Sequence, residues 1–176
     1  MGAYLLVVVA VLSRIVPHPW LNFTAVGAGL LFFGARRPLR EMILPVAALM
    51  ATDYYLTVFS YGYPFHTGAY LVTWAWYAAI VVLGWMLLRK QVTVARLIAA
   101  PVLSATSFFI VTDFAVWAGG TLYPHTMAGL DACYAAAIPF YRNDLLSTLL
   151  VTGIAFGLPL AARRMAEHRT HGKLAA

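Results

Sequence analysis

Six apolar runs, at about 3–16, 20–35, 41–59, 68–88, 95–118 and 144–162, divide the chain, each bounded by charges, prolines or glycine-containing connections. Each predicts a helix. A membrane crossing takes about 20 residues, so six would consume roughly 120 residues and leave no room for an extramembrane catalytic domain. The expected fold is an all-α six-transmembrane-helix bundle. With no internal repeat, low-complexity segment or linker, residues 1–176 read as a single polytopic membrane domain.

The first run is short and is interrupted by Arg14, which near a helix end snorkels to the interface. No Lys or Arg precedes this run and no small-x-small site closes it, so a retained helix is expected rather than a signal peptide. Pro45, Pro101 and Pro159 fall inside runs and predict kinks, since neighbouring helices satisfy the freed backbone groups. Ala25 with Gly29, Ala47 with Ala51 and Ala75 with Ala79 have the spacing of close helix contacts. The longest connection, 119–143, is too apolar for a solvated loop. Within it Leu130, Cys133, Tyr134, Ala137 and Tyr141 recur at helical spacing, which predicts a short outer-face helix or re-entrant segment stopped near Pro139.

Composition agrees with the pattern. The chain is 62% hydrophobic and 10% charged, against about 25% charged residues in ordinary soluble domains. That excludes a water-soluble monomer and a disordered chain. The single cysteine, Cys133, excludes an intrachain disulfide scaffold, and its expected role is that of a small buried hydrophobe. The formal charge of +6 is explained by its distribution: Arg36, Arg37, Arg40, Arg89, Lys90, Arg96, Arg163, Arg164, Arg169 and Lys173 fall between runs two and three, between four and five, and after run six. By the positive-inside rule these connections, both termini and the basic tail 163–176 are cytoplasmic, and no nucleic-acid partner is needed.

This topology sends the remaining polar residues to the outer half. Asp53 lies about 18 Å above Glu41, and Asp113 about 25 Å above Arg96, with Trp117 one turn beyond. Arg14 and His18 end the first run, Asn22 opens the second as a candidate cap, and Arg142, Asn143 and Asp144 open the sixth. A carboxylate within a span pairs with a cation or faces a polar interior. Asp53 and Asp113 therefore belong either to a structural clamp with Arg14 or Arg142 or to a ligand site. Ten aromatic residues lie between Tyr54 and Tyr77, which suits an interfacial belt or a stacking surface for a ligand entering from outside. His18, His66, His125 and Cys133 lie on the same side without metal-ligand spacing on one helix, and no nucleophile elbow or phosphate loop is present. No cofactor is predicted.

The order Arg14, Pro17-His18-Pro19, Asn22-Phe23, the small-residue run 25–34, Asp53, Phe108-Phe109, Thr112-Asp113, Trp117, Tyr123-Pro124-His125-Thr126, Gly129-Leu130, Cys133-Tyr134, Pro139-Phe140 and Arg142-Asn143 resembles an uncharacterised bacterial family of small six-helix membrane proteins over roughly residues 12–160. That family is distantly similar to the substrate-binding S subunits of energy-coupling-factor transporters. Asp113 stands where the family often has Asn. The resemblance implies an outer cavity for a vitamin-like metabolite or metal ion, and a separate coupling subunit with two ATPases. The Ala-x-x-x-Ala pattern often used for that docking is missing from the first run, where only Ala3 and Ala10 occur.

The leading expectation is thus a substrate-binding or uptake protein whose ligand is held by Arg14, His18, Asn22, Asp53, Asp113, Trp117, Tyr123, His125, Tyr134, Arg142 and Asn143. Two other readings stand beside it. One is a small intramembrane metal-dependent enzyme using His18, His125 and the two aspartates; the other is an accessory subunit of a larger membrane complex.

Overall fold

A computed structural model describes residues 1–17, 19 and 22–174, with side chains described through residue 159. Among these residues the chain is helical, without strands: α1 Gly2–Ile15, α2 Val26–Arg36, α3 Ile43–Tyr55, α4 Thr67–Leu88, α5 Val94–Gly119 and α6 Met127–Leu174. A 3-10 turn, Leu39–Glu41, leads into α3, and a π segment, Leu56–Ser60, extends it. Three segments are long and apolar enough to cross a membrane: Leu39–Ser60, Thr67–Leu88 and Val94–Gly119. Much of their apolar surface is uncovered, including Ile98, Leu103, Ile110 and Phe114 of α5, as expected of helices solvated by lipid. By contrast α1 and α2 have 14 and 11 residues and reach about 21 and 16 Å, short of the roughly 30 Å hydrocarbon core.

The helices alternate in direction, and polar ties mark both ends. At the basic end the Tyr4 hydroxyl donates to Glu41 Oε2 at 2.5 Å, and Arg37 grips both Glu41 oxygens at 2.8 Å. Arg36 lies over the rings of Phe32 and Phe156, which brings the far part of α6 to this same end. At the other end the Ala25 amide donates to Ser13 Oγ, and Arg14 meets Asp53.

The core centres on α2, where Leu30, Leu31 and Phe33 are fully buried against Leu49, Val81 and Leu88. Helices α2 and α4 cross at glycine. A Cβ at Gly34 would overlap the carbonyl of Val81, and one at Gly84 would overlap the backbone of Leu31. Gly29, of the expected Ala25–Gly29 pair, packs against Ala10 of α1. The other two expected pairs do not meet a helix, because Ala47, Ala51, Ala75 and Ala79 are exposed.

The largest departure from expectation is α6. The segment predicted as a separate outer-face helix stopping near Pro139 is the beginning of one helix that continues through Pro139 and Pro159, and the basic segment from 163 extends it to Leu174. Proline removes one backbone hydrogen bond, but Cys133, Ala137, Asp144, Thr148, Thr152 and Phe156 form a buried stripe at four- and seven-residue spacing. Packing along that stripe outweighs the local break. Asp144 is accordingly inside a helix rather than at its N-terminus.

Candidate functional site

Two adjoining cavities occupy the end of the bundle opposite the basic connections. The larger, of about 420 Å³, lies between α5 and α6. On α5 its walls are Phe108, Thr112 and Val116, one turn apart, with Phe109 and Asp113 beside them. On α6 they are Cys133, Ala136, Ala137, Phe140 and Tyr141. Asn22, Thr73, Leu122 and Tyr123 line the rest of this open cavity, leaving Asp113 as its charged group among apolar, aromatic and a few uncharged polar residues. This size and composition are those of small-molecule sites.

The walls are fixed by local bonds. Phe109 packs between the rings of Tyr134 and Tyr141, at 5.1 and 4.9 Å. Tyr141 shares a 3.0 Å hydrogen bond with Thr106. The Cys133 thiol approaches the Asp113 carbonyl at 3.5 Å. The loop between α5 and α6 is tied down as a cap: Trp117 Nε1 donates to the Pro124 carbonyl at 2.9 Å, and His125 Nε2 lies 3.1 Å from the Gly120 carbonyl. At its exit Thr126 Oγ1 accepts the Gly129 amide at 3.2 Å, the bond of a helix N-cap. Gly129 lies directly beneath the Pro124 carbonyl, where a Cβ would clash.

The smaller cavity, about 50 Å³, is lined by Arg14, Thr24, Trp76, Tyr77 and Asp144, and shares Asn22 and Phe108 with the larger one. Asn22 has φ of 58°, a left-handed conformation that asparagine tolerates better than most residues. It is not the expected helix cap: α2 starts at Val26 after Ala25, with no side-chain cap.

Asp53 belongs to neither cavity. Only 2% exposed, it meets Arg14 Nη1 at 2.6 Å and accepts from Trp74 Nε1 at 2.9 Å. The Tyr77 hydroxyl accepts from Arg14 at 3.1 Å and reaches both Asp53 oxygens at 3.3 Å. This closed set ties α1, α3 and α4 together. Of the two structural alternatives read from sequence, Arg14 is the partner.

The remaining expected site residues divide. Asn22, Asp113 and Tyr123 line the larger cavity, while Arg14 faces the smaller. Trp117 and His125 tie the cap, their rings 5.6 Å apart edge to face. The Tyr134 hydroxyl donates to the Ile110 carbonyl at 2.8 Å. Arg142 is exposed and Asn143 half-buried, and neither lines these cavities. His18 lies outside the described residues. Among the clustered aromatics Phe65, Tyr70 and Trp74 stack on one another at 4.9–6.1 Å, while Tyr54, Tyr55, Phe59, Tyr61 and Tyr63 are exposed. Among the described residues no group of three His, Cys, Asp or Glu side chains is placed to hold a metal ion.

Residues not expected in the site include Thr73, Phe108, Phe109, Thr112, Tyr141 and Asp144. For Phe108, Thr112 and Tyr141 the sequence signal was the four-residue recurrence Phe108, Thr112, Val116 on α5 and Cys133, Ala137, Tyr141 on α6; Thr73, Phe109 and Asp144 lie outside it.

No curated protein and no solved structure matches the chain. A family of unknown function, DUF6580, matches residues 1–169. With nearly the whole sequence covered, the chain belongs to that family.

Proposed function

We propose that this protein is an integral membrane substrate-binding or uptake protein that holds a small molecule in an outward-facing cavity between α5 and α6. Its membrane form is a six-span bundle in the bacterial cytoplasmic membrane with both termini inside. The short α1 and α2 are accommodated by local bilayer thinning and by snorkelling of Arg14, Arg36 and Arg37. On the sequence resemblance described above, we read it as the counterpart of an S component of an energy-coupling-factor transporter, for which a separate coupling subunit and ATPases would supply the energy.

One observation carries this reading: a carboxylate, Asp113, set among the aromatic and apolar walls of a 420 Å³ cavity. Asp113 is half-buried, and a carboxylate within a membrane span favours a cationic or hydrogen-bond-donating partner. The complementary ligand is a small molecule with an apolar or aromatic body and a positive or strongly hydrogen-bond-donating group. Thr73 and Asn22 add polar contacts, and Phe108, Phe109 and Tyr141 supply aromatic surface.

Cys133 is the one cysteine of the chain but is buried, so the reporter is a cysteine at Ala136, which is exposed and lines the same cavity. A small membrane-impermeant thiol reagent added outside intact cells is expected to modify Ala136→Cys in the Cys133→Ala background and not Cys133→Ala alone. Labelling only after the cytoplasmic face is opened would overturn the outward-facing assignment.

A further inference from the structure

We infer that the smaller cavity is a binding site for a singly charged hard cation, sodium in particular, with Asp144 as its carboxylate ligand. Asp144 is 5% exposed, it lines the cavity, and its Oδ2 makes no hydrogen bond of good geometry among the described residues, with only the Thr148 hydroxyl one turn along α6 close enough to act on the carboxylate. A buried carboxylate in this state either takes up a proton or gains a compensating cation, two outcomes that sodium binding separates. Arg14 on the same wall is already bound to Asp53 and Tyr77. Counted together, Asp53, Asp144 and Arg14 leave one negative charge.

The volume and donors select the ion. About 50 Å³ admits a water-sized species and excludes an organic cation. The other uncharged oxygen-bearing side chains lining the cavity are Asn22, Thr24 and Tyr77, hard donors that suit an alkali cation rather than a soft transition metal, with the Arg14 guanidinium held to Asp53 and Tyr77 on the same wall. A divalent ion wants more carboxylate than this wall provides. The site adjoins the larger cavity through Asn22 and Phe108, which line both, yet it stands without any assumption about what the larger cavity holds.

The test uses sodium alone on purified, ligand-free protein. Radioactive sodium binding is measured with choline replacing sodium at constant ionic strength, and Trp76, on the cavity wall, reports occupancy by fluorescence. The expected result is saturable binding of one sodium per chain, with a matching fluorescence change, lost in Asp144→Asn and retained in Asp113→Asn. Thr24→Val keeps the side-chain shape, removes one oxygen donor and is expected to weaken binding, so the site remains testable if Asp144→Asn misfolds. Absence of saturable sodium binding in the wild type, or undiminished binding in folded Asp144→Asn, would overturn the assignment. Retention of sodium binding by protein that takes up no organic ligand would refute the proposed function and leave this inference standing.

Discussion

Replacing Asp53 with alanine removes the centre of the clamp joining α1, α3 and α4. The carboxylate is buried and accepts from Arg14 at 2.6 Å, Trp74 at 2.9 Å and Tyr77 at 3.3 Å. Its loss strands the Arg14 guanidinium, whose side chain is 21% exposed, together with the Trp74 indole N–H. Breaking a buried pair from one side costs about 3–5 kcal/mol, because the surviving charge stays desolvated; the Trp74 donor overlaps with this figure and is not added to it. For a chain of this size each kcal/mol lowers the melting midpoint by about 2–4 °C, which gives a fall of about 6–20 °C. Thermal melts of detergent-purified protein read it directly. Removing both charges, as Arg14→Met with Asp53→Leu, is expected to recover most of the loss, since an apolar pair of similar size has no stranded charge. The reasoning is refuted if Asp53→Ala melts within about 2 °C of wild type, or if the double variant is less stable than Asp53→Ala.

Two packing predictions rest on smaller features. Gly84→Ala drives a methyl into the Leu31 backbone, which cannot rotate away, so a loss at or above the usual overpacking cost of about 1–3 kcal/mol is expected; Gly153→Ala, whose Cβ meets nothing within 4 Å, is expected to hold or raise stability by about 0.5–1 kcal/mol. Melting midpoints of the two variants in the same detergent check the pair. Thr126→Ala removes the oxygen that accepts the Gly129 amide and is expected to cost about 1 kcal/mol, with Thr126→Ser restoring it; hydrogen exchange localised to the start of α6 is the readout.

Helix identity and direction were legible because each run is apolar and its charged ends differ. The cost of a charge in such a run also made Asp53 legible as a group needing a partner. Which partner was not: Arg14 and Arg142 were both available, and the answer depended on the rotation of α6. That rotation follows from whether Pro139 ends a helix, and local preference argues for an end while the buried stripe from Cys133 to Phe156 argues for continuation. Tertiary packing decides such cases. It turned Arg142 outward and brought Asp144 inside. The role of the aromatic residues near Asp53 was not legible for a related reason: a ring at an interface, in a stack or around a ligand has the same sequence. The stacking of Phe65, Tyr70 and Trp74 is a property of the folded arrangement. The start of α2 was placed too early because apolarity continues through the turn at Asn22, whose left-handed backbone has no hydropathy signature.

The central claim is that the cavity beside Asp113 holds a small molecule through that carboxylate. Mass spectrometry of small molecules released from gently purified wild-type protein, Asp113→Ala and Arg142→Ala tests it most directly. The account predicts a compound released stoichiometrically from the wild type and from Arg142→Ala, and lost from Asp113→Ala while that variant remains folded. A compound retained equally by folded Asp113→Ala, or no bound compound in the wild type even after incubation with a metabolite extract, would contradict it.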